Sequence, residues 1–413
     1  MRPLEAARIV MEMRRSQWLE REELEELQLR KLNALLLHAS STVPHYAGLR
    51  GARLRDLSEL RSLPVLGRTS VRDSPESFLS SAFRREGLAL THTSGSSGVQ
   101  VPIYSTKGEE GCGIAFECHH LFENGVGLLD RQAKITHFVS APNLFQKMGI
   151  MRCSYHSVLK KEGEILSELK KEKAHVLSAY PSLVKGLALR NDSLRLKRIF
   201  TGGELLHPDV RALAEKSFGC PVRDRYGSME TSWVAWECPE GKYHAHSDQA
   251  IIEVVDEGGE TVPEGKSGRL LVTPLWRKAM PFIRYDLGDL GTAGGRCRCG
   301  RGLHVLRAIE GRDDDFIVLP SGRLRSARTI NIMDDITQVL AYQIVQERPD
   351  LFVFRFVPSG KGLDDEAMKE IVRRIGSGCL GEKVRVEFEQ AGELARGRTG
   401  KIRTVISRVK AVG

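Results

Sequence analysis

From about Leu88 onward the chain alternates short apolar runs with clusters of Gly, Pro and Ser, and this rhythm restricts the fold more than any other feature. Runs at residues 135–139, 176–179, 198–200 and 222–225 are short and apolar enough to be buried strands. Helices are predicted between them at 165–173 and 208–218, so strands and helices alternate and an α/β layered architecture follows. In such open sheets ligands collect at the polar turns that end the strands. Ahead of this region, residues 22–38 carry Leu at helical spacing among Glu, Arg and Lys, which predicts an amphipathic helix ending before Pro44.

Between Gln249 and Thr273 the texture changes to β-rich, with IIEVVD and RLLVTPL flanking a Gly-rich turn region. After Asp315 the pattern predicts a strand at 351–357, a helix at 364–375 and a strand at 384–389. The expected organisation is a large domain over 1–314 with a β subdomain at about 240–300. A smaller α+β lid over 315–413 completes it.

The 413 residues bury a sizeable core. A 41% hydrophobic and 28% charged composition is that of an ordinary soluble protein, and no apolar run approaches a membrane span. Charges interrupt every apolar stretch near the N-terminus, so neither a secretory signal nor a membrane anchor is expected, and a cytoplasmic location is. Eight cysteines in such a chain are expected to be reduced. The net charge of +9 favours anionic partners. Acidic and basic residues interleave, and no nucleic-acid-binding signature occurs, so phosphorylated small molecules are favoured over DNA or RNA. Oligomeric state is open, with a homodimer the commonest assembly.

Several short segments carry chemistry. Thr91-His92-Thr93-Ser94-Gly95-Ser96-Ser97-Gly98 combines hydroxyls with flexible backbone amides, a donor surface suited to phosphate oxygens; without a Lys-Ser or Lys-Thr pair it is not a Walker loop. Thr201-Gly202-Gly203-Glu204 and Arg225-Tyr226-Gly227-Ser228-Met229-Glu230 each follow a predicted strand. There a tyrosine can stack on a purine, and a carboxylate can hold magnesium. Tyr285-x-x-Gly288-Asp289 and Gly311-Arg312-x-x-Asp315 read as turns, with Asp289 suited to ribose hydroxyls and Arg312 to ribose or phosphate. Gly397-Arg-Thr-Gly400-Lys401 places a lysine near the C-terminus, where a closing lid could bring its charge to a phosphoryl group.

Cys297-x-Cys299 is tighter than the usual zinc knuckle and needs two more ligands, which Cys238 and His244 supply, with His246 as the alternative to His244. Four protein ligands would make the metal structural, clamping the start of the β subdomain to its end.

In order, the Gly/Ser loop, Gly-Gly-Glu, Tyr-Gly-x-x-Glu, Tyr-x-x-Gly-Asp, Gly-Arg-x-x-Asp and terminal Gly-Lys resemble the adenylate-forming superfamily of acyl-CoA synthetases and adenylation domains. VPHYAGL, Tyr180-Pro181-Ser182, PFIRY and the Cys/His set are similar to the phenylacetate-CoA ligase and CapK group, which includes synthetases that adenylylate a deazaflavin coenzyme. The resemblance implies the α/β adenylate-forming fold, with a large multi-layer N-terminal domain and a small mobile lid. It implies adenylylation of a small, aromatic carboxylic acid by ATP with release of pyrophosphate, then transfer of the acyl group to coenzyme A with release of AMP. Thr93 and Ser94 to Gly98, including Gly95, Ser96 and Ser97, would cradle phosphates, and Glu230 would bind Mg2+. Gly203, Glu204, Tyr226 and Gly227 would line the adenine site, Asp289 and Arg312 would hold ribose, Lys401 would bridge carboxylate and α-phosphate, and Asp315 would be the lid hinge.

Met229, Leu287 and Gln100 stand where family members usually carry Thr or Ser, Thr, and Pro; Met229 supplies no hydroxyl. Alternatives are a CapK-type adenylyltransferase that leaves AMP on its acceptor without coenzyme A, and a non-catalytic nucleotide-binding member. Product analysis separates the first from a ligase, and retention of Glu230, Asp289, Arg312 and Lys401 speaks against the second.

Overall fold

The computed structural model describes residues 3–92, 101–136, 144–158, 160–312, 316–321, 324–326, 338–360, 362–394 and 405–409. The chain divides into two compact units, residues 1–126 with 225–309 and residues 127–224 with 310–413.

In the first unit antiparallel strands dominate. Ala250–Val255, Ser267–Pro274 and Tyr285–Ala293 pair in succession. Val305–Arg312 pairs with Tyr243–Ala245, which pairs with Ser232–Glu237, which in turn pairs with Val222–Ser228. Their inner faces form a core with the helix Arg21–Thr42, centred on Leu32, Leu36, Val272, Phe282 and Tyr285. That helix starts at a Glu20–Glu23 capping box and stops where Val43 becomes extended before Pro44. It therefore runs four residues beyond the predicted His38. The helix Lys107–Glu123 is fixed at its start by a Thr106–Glu109 box, and packs its Ala115 and Phe116 with Ile9, Val10 and Met13 of the helix Pro3–Ser16. That N-terminal helix was not foreseen, because charges divide its apolar residues.

The second unit holds the parallel layer. Cys153–Ser157, Gln132–Thr136, Val176–Ser178 and Arg198–Gly202 are neighbours in that order. Helices Glu162–Glu172, Pro181–Arg190 and Pro208–Phe218 supply Leu169, Leu187 and Phe218 to its core. Pro begins two of these helices, where its missing N–H costs nothing, and Gly219 closes the last at φ +68°. The C-terminal part of this unit is a four-stranded sheet in the order Arg385–Gln390, Leu351–Pro358, Val339–Arg348, Val405–Ser407, with its own core around Ile344, Phe352, Phe354 and Ile371. The predicted 364–375 helix is α-helical over Asp365–Arg373, with Asp364 as its cap, and continues as a π-helical turn over Arg374–Leu380. Val339–Arg348 was missed, since much of its preceding context lacks clear periodicity. Lys185 lies 5.1 Å from the centre of the Tyr342 ring, a contact between the parallel layer and this sheet.

The segment read as a Tyr285-x-x-Gly288-Asp289 turn is instead the interior of a strand. Arg269 pairs with Leu290 and Leu271 with Asp286, so Leu287, Gly288 and Asp289 together face the single residue Leu270. Gly288 adopts φ +70° to make this bulge, and the bulge re-aims Asp289. Glycine marked irregular backbone correctly, but irregularity inside a strand is a bulge and not a loop.

Gly302 shows how tightly the N-terminal segment is seated: a Cβ there would lie 1.9 Å from the Leu19 carbonyl oxygen, and its N–H donates to the Gln17 carbonyl at 3.0 Å. Gly302→Ala should lower unfolding free energy by about 1–3 kcal/mol in a urea titration. A change below about 0.5 kcal/mol would show that this seat is looser than described.

Candidate functional site

In the first unit, two buried tyrosines present hydroxyls to two carboxylates. Tyr226 donates to Asp289 Oδ2 at 2.8 Å, and Tyr285 donates to Glu230 Oε1 at 3.0 Å. Burial, and then the adjacent Asp289 charge, hold the Tyr226 phenol protonated far above neutral pH. Burial and Glu230 do the same for Tyr285. Each is thus a fixed donor. The bulge delivers Asp289 to its tyrosine, and a tight hairpin delivers Glu230. Gly227 is required there, since a Cβ would fall 2.0 Å from the Ser232 carbonyl oxygen, while Ser232 itself is held at φ +58°.

Glu230 is 2% exposed and has a second partner, Arg68 Nη2 at 3.3 Å. Arg68 Nε and Nη1 are buried with no partner among the described residues. Nothing in the sequence singled out Arg68, because its place beside Glu230 arises from a contact between residues 162 positions apart. Met229 is 46% exposed, and the flanking Ser228 and Thr231 hydroxyls bond to each other at 3.1 Å.

In the second unit, Gly203 takes φ +81° just after the strand Arg198–Gly202. Glu204 accepts from the Ser182 backbone N–H at 2.9 Å and from its hydroxyl at 3.1 Å, capping the helix Pro181–Arg190. Its carboxylate therefore anchors the predicted Tyr180-Pro181-Ser182 turn. Thr93 to Gly98, Asp315 and Lys401 lie outside the described residues, and Arg312 ends the strand Val305–Arg312.

The cysteine and histidine set assembles as a compact group. Cys238 Sγ and Cys297 Sγ are 3.8 Å apart, Cys299 Sγ and His244 Nε2 are 3.2 Å apart, and all four ligand atoms lie within 4.8 Å of one another. Tetrahedral zinc with Zn–S bonds of ~2.3 Å requires sulfur separations of about 3.7 Å, which this spacing meets. Burial, reinforced by Arg301, lowers the His244 pKa to about 4 and keeps the ring neutral, as a ligand must be. Arg301 joins this cluster to the N-terminal segment, donating to Gln17 Oε1 at 2.8 Å, and to the end of the helix Lys107–Glu123, donating to Glu123 Oε2 at 2.7 Å. His246 is instead buried among the rings of Phe116, His119 and Trp236.

These features coincide with a match of residues 128–274 to the AMP-binding enzyme family model. Over those residues the chain is similar to AMP-binding enzymes. It is 25% identical to a phenylacetate-coenzyme A ligase of Thermus thermophilus over 440 aligned positions, covering 94% of this chain and 97% of the relative. It is 21% identical to the CapK protein of Staphylococcus aureus, covering 86% and 81%. Among solved structures, a 2-hydroxyisobutyryl-CoA ligase bound to an acyl-adenylate superposes with a TM-score of 0.80 at 20% identity, covering 95% of this chain and 91% of that one. The α/β adenylate-forming fold expected from the sequence is thus the fold shared with this ligase. No helix among the described residues is long and apolar enough to cross a membrane.

Removing the Tyr226 hydroxyl leaves Asp289 without that donor. Tyr226→Phe should cost about 1.5–3 kcal/mol of stability in denaturant titration, the range for a bond to a charged acceptor. An unchanged midpoint would mean that the bond does not form.

Proposed function

We propose that the chain is an ATP-dependent ligase that adenylylates a small carboxylic acid, aromatic in character, and transfers the acyl group to coenzyme A. The observation that carries this reading is the pairing of Asp289 with Tyr226 and of Glu230 with Tyr285, two oriented carboxylates on the motifs that the sequence reading assigns to nucleotide binding. Asp289 would accept hydrogen bonds from the ribose hydroxyls, and Arg312 would support the ribose. Glu230 fits a Mg2+ ligand: among the described residues both its hydrogen bonds fall on Oε1, so Oε2 could turn to a cation. When bound, the ion would neutralise charge on the polyphosphate. The Ser94 to Gly98 loop would hold the outer phosphates, and the backbone around Gly203, Glu204 and Gly227 would border the adenine.

Lys401 would bridge the attacking carboxylate and the α-phosphate, stabilising charge that grows in the transition state. Asp315 would be the hinge by which the 315–413 lid turns between half-reactions. Lys401→Ala should then reduce acid-dependent pyrophosphate release by at least ~100-fold, while thiol capture of a supplied acyl-adenylate persists. Unchanged adenylation in that variant removes Lys401 from this role. Thiol-dependent AMP release supports the ligase, whereas a stable adenylylated product formed without thiol makes the chain a CapK-type adenylyltransferase.

Zinc fits the Cys238, His244, Cys297 and Cys299 group, because the donor set is soft, the four ligand atoms are close enough to share one ion and together they complete a four-coordinate site. The metal would be structural, tying the knuckle at Cys297 to the hairpin at Cys238, and through Arg301 to Gln17 just past the N-terminal helix. Protein purified without added zinc should contain about one equivalent by elemental analysis, and chelation should lower its melting temperature. Folded, active protein without zinc would defeat the assignment.

A further inference from the structure

Arg284, which directly precedes Tyr285, is a non-glycine residue held at φ +49°. A side chain at positive φ persists only where its surroundings fix it, and such residues gather at functional sites. Its backbone is tied on both sides. The N–H donates to Thr273 Oγ1 at 2.9 Å, and the carbonyl accepts from the Leu66 N–H at 3.0 Å. The Leu66 carbonyl accepts in turn from the Asp286 N–H at 3.0 Å, so Leu66 and Tyr285 form a parallel bridge.

The Arg284 side chain is 2% exposed and joins stretches far apart in the chain. Nε donates to both Glu253 oxygens at 3.2 Å, Nη1 donates to the Arg61 and Leu63 carbonyls at 3.1 and 2.8 Å, and Nη2 donates to the Gly259 carbonyl at 2.8 Å. A planar guanidinium holds several acceptors in fixed directions at once, which an ammonium does not.

An arginine with these partners would serve the fold in any case, and what it anchors argues for more. The segment it grips at Arg61, Leu63 and Leu66 leads into the helix Arg68–Asp73, whose first residue sends Nη2 to Glu230 Oε1 at 3.3 Å. Tyr285, the residue after Arg284, donates to the same oxygen at 3.0 Å. Both hydrogen-bond partners of Glu230 among the described residues are therefore set from this one side chain and its backbone. Misplacing a group by ~1 Å can cost ~100-fold in rate. The structure assigns Arg284, oriented by Glu253, as the positioning residue that holds Arg68 on Glu230 and so aims that carboxylate for nucleotide chemistry. This inference rests on the ligase reading above.

The test is acid-dependent exchange of pyrophosphate into ATP, with thermal melting as the check on folding, for Arg284→Lys, Glu253→Gln, Arg68→Ala and the double variant Arg284→Lys with Arg68→Ala. Arg284→Lys should lower the maximal exchange rate at least ~10-fold while KM for the acid stays within ~3-fold of wild type. Glu253→Gln should act in the same direction, and it replaces Arg284→Lys in the double variant where that substitution does not fold. The double variant should lose no more than Arg68→Ala alone, because a residue that acts through Arg68 has nothing further to move once that guanidinium is gone. Losses that multiply in the double variant mark a merely structural anchor and overturn the inference. So does wild-type exchange in folded Arg284→Lys, Glu253→Gln or Arg68→Ala, or failure of both Arg284→Lys and Glu253→Gln to fold. Wild-type protein that exchanges with no acid overturns the ligase reading, and this inference with it.

Discussion

The site depends on one buried carboxylate, Glu230, whose Oε1 takes bonds from the Tyr285 hydroxyl and the Arg68 guanidinium. An acid this deeply buried is costly unless it is paired. Arg68 offsets its charge, and Tyr285 fixes its direction without adding charge. The hairpin that carries Glu230 is possible only because Gly227 admits the Ser232 carbonyl, so the position of one acid constrains the backbone around it. Tyr226, on the same strand, extends that constraint to Asp289.

Asp289 reaches its tyrosine through a bulge. Three residues of its strand face Leu270 alone, and the strand regains register at Leu290. A regular strand would alternate its side chains and could not deliver this acid by register alone. Beyond that strand, the Cys238, His244, Cys297 and Cys299 group gathers at the following knuckle, and Arg301 joins that knuckle to Gln17, just past the N-terminal helix. The nucleotide-type carboxylates and the metal-type cluster therefore brace opposite ends of the segment 285–301. One end is held by hydrogen bonds to tyrosines, and the other is suited to metal ligation.

Sequence reading recovered those parts whose chemistry is local. Pro208 at a helix start gave the helix Pro208–Phe218 with its correct bounds, because N-terminal Pro and C-terminal Gly219 are both sequence signals. Cysteine and histidine spacing named a group that the fold brings together, since ligand identity alone restricts how such residues can be used. Tyr226, Glu230 and Asp289 were legible as motifs, but their partners were only partly so. Arg68 acts through a contact across 162 positions, and no local pattern encodes such a distance. The bulge at Gly288 was misread as a turn because both demand the same backbone freedom. Glu204 shows the converse: a residue assigned to a ligand site also caps a helix through Ser182, a role visible only once the strand end and helix start are adjacent.

The central claim is that these carboxylates serve reversible formation of an acyl-adenylate. Isotope exchange tests it most directly: labelled pyrophosphate, ATP, Mg2+ and a panel of carboxylic acids are incubated with the protein without coenzyme A. The account predicts label entering ATP only when a suitable acid is present, and loss of that exchange by at least ~100-fold in Glu230→Gln. Exchange that needs no acid, or none with any acid tested, would contradict it.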